Sequence, residues 1–191
     1  MYEIRLHGLG GQGAVTLVNW MAKIAYNAGM HVQAFPFFGA ERRGAPVKAF
    51  FRMDDKPINL RSQIYRPDLL VVLSIDLTGS AIAEGITDDG EILLNAEQEL
   101  ASRLAARFGR DAYHVDATGI ALEHLLEIDG MPMVNIPLLG SMVSKAGLVP
   151  FEGVMEVLDR VARRGDYEAY RSAALEGFEG VTLARARETV A

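Results

Sequence analysis

"HGLGGQGAVTLVNWMAKIA", residues 7–25, decides the fold. Upstream of it "YEIRLHGL" (2–9) alternates as a strand does, and downstream Ala14 to Ala28 is apolar on most faces before stopping at Gly29. Strand, glycine loop, helix is the opening βα unit of an α/β sheet. Gly8, Gly10 and Gly13 match the G-x-G-x-x-G spacing of a dinucleotide fingerprint, with Gly11 and Gln12 between them. Glycines there permit a tight turn and leave free N–H groups at a helix N-terminus, where an anion is favoured. The same glycines also serve simply to turn strand one closely onto helix one. A dinucleotide site asks in addition for an acid about 20 positions on, at the end of the second strand. No Asp or Glu occurs between Ile4 and Ala40, which counts against NAD. Arg42 and Arg43 keep open an NADP reading, as a clamp for a 2′-phosphate.

Further along, "HVQAFPFF" (31–38) and "PVKAFFRM" (46–53) read as strands, and "PINL" (57–60) as a hairpin partner at a sheet edge. "PDLLVVLSI" (67–75) is apolar nearly throughout, as a central parallel strand is. "EILLNA" (91–96) and "AYHVDA" (112–117) are shorter strands, with helices expected over 97–108 and 117–128. Beyond them come a Pro-started helix over 137–146, an amphipathic helix through Phe151, Val154, Leu158 and Val161, and a last helix over 167–190. The expected fold is a single three-layer α/β/α domain over residues 1–191. It has a mainly parallel Rossmann-like sheet, an edge hairpin, and an all-helical part over 151–191.

Composition narrows the function. The 191 residues contain no cysteine, which removes disulfides, thiolate catalysis and thiolate-held zinc or iron–sulfur centres. His7, His31, His114 and His124 lack ligand spacing, so no metal is expected. No run approaches the roughly 18 apolar residues of a membrane span, and the start is strand-like rather than a signal peptide, so a cytoplasmic protein is expected. Net charge is −6, unevenly spread. From Ile4 to Met53, Arg5, Lys23, Arg42, Arg43, Lys48 and Arg52 face Glu41 alone, a net +5. From Asp54 onward 13 bases meet 23 acids, a net −10. That distribution argues against nucleic acid and permits a local anionic ligand or an acidic partner.

"FPFFGAERRGAPVKAFFR" (35–52) surrounds a Glu and two Arg with phenylalanines and glycines. Alternation sends Phe35 and Phe37 to one side and Phe38 to the other. Arg offers a planar fork for carboxylate or phosphate; an internal Glu41–Arg ion pair is the plainer reading. His7 beside the glycines either meets an anion or is a satisfied core residue. Asp76 and Thr78, at the carboxyl end of the central strand, are either ligand contacts or a helix cap. Asn135 reads as a cap or turn, the methionines as core filling, and Trp20 as a core or interface aromatic.

GLGGQG, "FPFFGAERRGAPVKAFFRMDDKPI" (35–58), "PDLLVVLS" (67–74), "VDATGIALE" (115–123) and "NIPLLGSMVSKAGLVPFEGV" (135–154) together resemble the gamma subunit of 2-oxoacid:ferredoxin oxidoreductases. The ERRGAPV form resembles the pyruvate/2-ketoisovalerate branch. The resemblance implies a complex that oxidatively decarboxylates a 2-oxoacid, transfers the acyl group to coenzyme A and reduces ferredoxin. It implies alpha, beta and delta partners that carry thiamine diphosphate with Mg2+ and [4Fe–4S] clusters, and none of these on the gamma chain. "TDDGEILLNA" (87–96) lacks the glycine and spacing of a thiamine-binding motif. Gly8, Gly10, Gly11, Gln12 and Gly13 match the family's glycine loop, and Glu41, Arg42, Arg43 and Gly44 its charged loop. Their expected role is contact with coenzyme A or a partner subunit, with no catalytic residue on this chain. The alternative is a stand-alone NADP-binding oxidoreductase.

Overall fold

The computed structural model describes residues 1–37, 44–77, 79–162 and 165–186. Strand β1 (Tyr2–Leu9) leads through the glycines into α1 (Ala14–Asn27), then β2 (His31–Phe37) and β3 (Pro46–Asp54). Next come β4 (Leu69–Val72), β5 (Glu91–Asn95), α2 (Gln98–Phe108), β6 (Ala112–Val115) and α3 (Ala117–Glu123). Two-residue strands β7 (Glu127–Ile128) and β8 (Met131–Pro132) precede α4 (Asn135–Ala146), α5 (Glu152–Val161), α6 (Tyr167–Glu179) and β9 (Thr182–Ala184). The main sheet runs β2-β3-β1-β4-β5-β6-β9. β1, β4, β5 and β6 pair in parallel; β3 lies antiparallel to both β1 and β2, and β9 antiparallel to β6.

Period-two alternation in β1 sends Ile4 and Leu6 into a core with α1, α4, α5 and α6. Leu70, Val72, Ile92 and Leu94 point the other way, against Ala101, Leu104 and Ala105 of α2. The result is a mixed sheet of mostly parallel strands between two helical layers, as expected from the alternating pattern.

Three expectations need correction. The edge hairpin is β2–β3, whereas residues 57–60 form no strand. Pro57 cannot donate to a ladder, and the stretch crosses the sheet as a strap held by Gln33, whose Nε2 donates to the carbonyls of Ile58 and Leu60 at 3.1 and 3.0 Å. The helix expected over 117–128 ends at Glu123. Leu125 takes φ 56°, and Asp129 and Gly130 follow at φ 52° and 74°, the two positive angles of a tight hairpin turn between β7 and β8. The C-terminal part is not all helix either: α6 stops at Glu179, and β9 returns to the sheet, where the Thr182 hydroxyl meets His114 Nε2 at 2.8 Å.

Buried polar groups lock the basic edge. Arg52, 1 % exposed, pairs with Glu3 at 2.5 Å and reaches Gln33 and the Gln63 carbonyl. Arg5 donates to four carbonyls, those of Ile64, Tyr65, Ile82 and Glu84, at 2.7–3.5 Å. One guanidinium therefore ties the strap to the segment that follows β4. The two arginines that the charge count placed in a basic front end are thus structural. At the opposite face, α4 and α6 cross at Gly140 and Gly177, and Ser141 Oγ donates to the Gly177 carbonyl at 2.7 Å.

A candidate ligand cavity at the glycine loop

The glycine loop sits at the carboxyl end of β1, where open α/β sheets bind ligands. Gln12 accepts the Leu9 N–H at Oε1 (2.8 Å) while its own N–H donates to the Leu9 carbonyl (3.1 Å). Its side chain, expected to face a ligand or a neighbouring chain, thus spends its acceptor on closing the turn. Gly11 and Gly13 carry the conformational demand, at φ 101° and 78°, in the left-handed region that other residues adopt with strain. Gly10 donates to the Ala45 carbonyl at 2.9 Å and accepts from the Gly44 N–H at 3.2 Å, extending the β1–β3 ladder. The base of the charged loop is therefore fastened to the glycine loop. Glu41, Arg42 and Arg43 lie outside the described residues, as do Phe38 and Thr78.

Beside the glycines opens a cavity of about 330 Å³. Its floor is Gly11, Gln12, Gly13, Thr16 and Trp20; Ile128, Met131, Pro132, Met133 and Asn135 form the opposite wall, closed by Val161 and Tyr170. The β7–β8 hairpin folds over the loop, so that a Cβ on Gly11 would lie 3.3 Å from the Met131 sulfur. A Cβ on Gly13 would sit 2.9 Å from the Asn135 carboxamide. Among the described residues, no Asp, Glu, Lys or Arg lines the cavity. The α1 N-terminus has neither a side-chain cap nor an acid in its first turn, so nothing within the helix compensates its positive dipole end. A lower cavity of about 180 Å³ adjoins through Ile128, Met133 and Tyr170.

Other candidates fall into place around this site. His7 faces away from α1 and is 6 % exposed. Burial, then Arg5 and Lys48, push its pKa down to about 3, so it stands neutral at ordinary pH, and no described residue reaches its Nε2. Asp76 is exposed; its N–H donates to Ser74 Oγ and its carboxylate accepts from the same hydroxyl, so among the described residues Ser74, rather than Asp76, caps this turn. Gly90 closes a turn before β5, its N–H on the Thr87 carbonyl at 2.9 Å. Asn135, Met131 and Met133, a cap and core filling by sequence, wall the cavity instead. The Asp129-Gly130 pair was the one local signal for the covering hairpin; nothing local to Asn135 announced its neighbour 122 positions earlier. Among the described residues no group of three His, Asp or Glu is placed to hold a metal, and no helix is long and apolar enough to cross a membrane.

A mixed sheet of mostly parallel strands, with a glycine loop between β1 and α1 and a cavity beside it, defines an α/β protein whose candidate site lies at the carboxyl end of its first strand. Residues 3–180 match the family model described as pyruvate ferredoxin/flavodoxin oxidoreductase, and the chain belongs to that family. It is 46% identical over 182 residues to the pyruvate/ketoisovalerate oxidoreductases common subunit gamma of Thermococcus kodakarensis, covering 93% of this chain and 96% of the relative. It is 45% identical to pyruvate synthase subunit PorC of Methanocaldococcus jannaschii, over 83% of this chain and 84% of that protein. The crystal structure of pyruvate oxidoreductase subunit PORC from Thermotoga maritima superposes with a TM-score of 0.82 at 34% identity, covering 96% and 98% of the two chains.

Proposed function

We propose that this chain is the gamma subunit of a multisubunit 2-oxoacid:ferredoxin oxidoreductase of the pyruvate/2-ketoisovalerate type, acting as one domain in the cytoplasm. The observation that carries this reading is near-complete coverage of a gamma-subunit relative at 46% identity. A chain without cysteine offers no thiolate for an iron–sulfur cluster, so electron transfer to ferredoxin belongs to partner chains of the alpha, beta and delta kind. Those partners hold the thiamine diphosphate and Mg2+ as well, and this chain alone is inactive.

Within the complex, the glycine loop 8–13 and the charged loop through Glu41, Arg42, Arg43 and Gly44 shape the approach of coenzyme A. Backbone amides and an uncapped α1 N-terminus suit phosphoryl oxygens, and arginines suit them bidentately. The two backbone hydrogen bonds between Gly10 and residues 44–45 support a shared role for both loops. The test is the purified complex carrying Arg42→Ala and Arg43→Ala. The expected result is normal assembly with the KM for coenzyme A raised at least tenfold. Unchanged coenzyme A saturation would remove the charged loop from the site, and turnover of a 2-oxoacid by the isolated chain would overturn the subunit reading.

A further inference from the structure

The cavity wall holds a polar group that the chain itself leaves unsatisfied. Asn135 is 6 % exposed and lines the cavity against Gly13. No hydrogen bond from a described residue reaches its carboxamide, and it makes no side-chain cap at α4. Its polar atoms open onto the cavity rather than into the packed core, and leucine would fill the same volume without a desolvation cost. The partner therefore comes from outside the chain.

What surrounds the carboxamide identifies that partner. Among the described residues the N–H groups of Gly11 and Gly13 find no backbone acceptor, and the first bond of α1 is Leu17 N–H to the Gly13 carbonyl at 2.8 Å. The amides of Ala14, Val15 and Thr16 are therefore free as well. At α4 the Ile136 N–H is taken by the Met133 carbonyl at 3.2 Å and Pro137 has none, leaving the N–H of Asn135 itself. Neither helix has an acid in its first turn. Among the described residues that line the cavity, backbone donors converge where two helix N-termini meet, and none of those residues is a carboxylate. An oxyanion carrying several oxygens answers that set.

We infer that Asn135 is a ligand-binding residue whose carboxamide, with the free amides at the α1 N-terminus, holds a phosphoryl group of the phosphorylated co-substrate. The inference rests on the proposed function only for the source of that group. The chain's single tryptophan, Trp20, lines the same cavity, so occupancy is read directly from its fluorescence. The experiment titrates the full chain with inorganic pyrophosphate at constant ionic strength, with chloride and adenosine as controls. Wild type saturates with pyrophosphate alone. Asn135→Leu melts no lower than wild type, yet binds pyrophosphate about 10- to 100-fold more weakly, the scale of a lost hydrogen bond to a charged group. Should Asn135→Leu fail to fold, Asn135→Ala removes the amide without added bulk and carries the same expectation. Affinity within twofold of wild type in the folded variant overturns the inference. So does a wild-type response to pyrophosphate no larger than to chloride, or saturation by adenosine alone. Each of these leaves the subunit reading standing, because that reading is tested by assembly and turnover.

Discussion

Substituting Gly177→Ala sets two effects of opposite sign against each other. Alanine in mid-helix gains about 1 kcal/mol of intrinsic propensity over glycine. Its methyl, however, would land on the Pro137 carbonyl oxygen of α4, 2.6 Å from the carbonyl carbon and 2.7 Å from Cα. Those atoms are backbone and cannot rotate aside, so α4 and α6 must part by about 1 Å to reach ordinary contact. A gap of that size forfeits up to half of each contact well along the interface, about 2 kcal/mol in total. It also stretches the 2.7 Å bond from Ser141 to the Gly177 carbonyl beyond hydrogen-bonding range; Ser141 keeps the Pro137 carbonyl at 3.0 Å, so the cost is that of a buried carbonyl losing a donor, about 1–3 kcal/mol. The net is a loss of about 2–4 kcal/mol. With an unfolding entropy of roughly 0.4 kcal/mol/K for a chain of this length, Tm falls by about 5–10 °C. Because Pro137 lies two residues past Asn135, the shift also disturbs the cavity wall, and pyrophosphate binding weakens in the same variant. Thermal unfolding followed by circular dichroism is the assay. A Tm equal to or above wild type would refute the reasoning, since propensity would then have prevailed over a clash that does not exist.

Two further outcomes follow from buried charge. Arg5→Met leaves four carbonyls without their shared donor and lowers stability by about 3–5 kcal/mol, the sum of several buried acceptors at about 1–3 kcal/mol each less what water recovers; limited proteolysis then cuts first within 57–66, and a resistant variant would show the clamp to be dispensable. His7 has a folded-state pKa of about 3 against 6.5 when free, so below pH 6.5 protons bind the unfolded chain preferentially. Stability is complete above pH 6.5 and declines by up to about 1.4 kcal/mol per pH unit as pH falls toward 3. Denaturant titrations of His7→Gln at pH 7 and pH 5 should show a shallower loss than wild type; parallel losses would mean that His7 is accessible to protons in the fold.

Local signals in the chain determined most of the architecture. Strand–glycine–helix at residues 2–28 and the apolar run at 69–73 placed the sheet and its first helix, because period and turn chemistry act over neighbouring residues. The glycine loop was legible for the same reason: positive φ at Gly11 and Gly13 is a local demand that only glycine meets cheaply. What composition suggested as one basic face was divided by the tertiary structure. Arg5 and Arg52 are consumed inside the fold, since their pairing depends on segments that arrive from 59–79 residues away for Arg5 and 10–49 for Arg52. The cavity itself belongs to the tertiary structure alone. Gly13 and Asn135 meet because two helices start at one end of the sheet, and the β7–β8 hairpin closes over them; a linear pattern has no means of recording that two helix N-termini, each ordinary alone, point at the same empty volume.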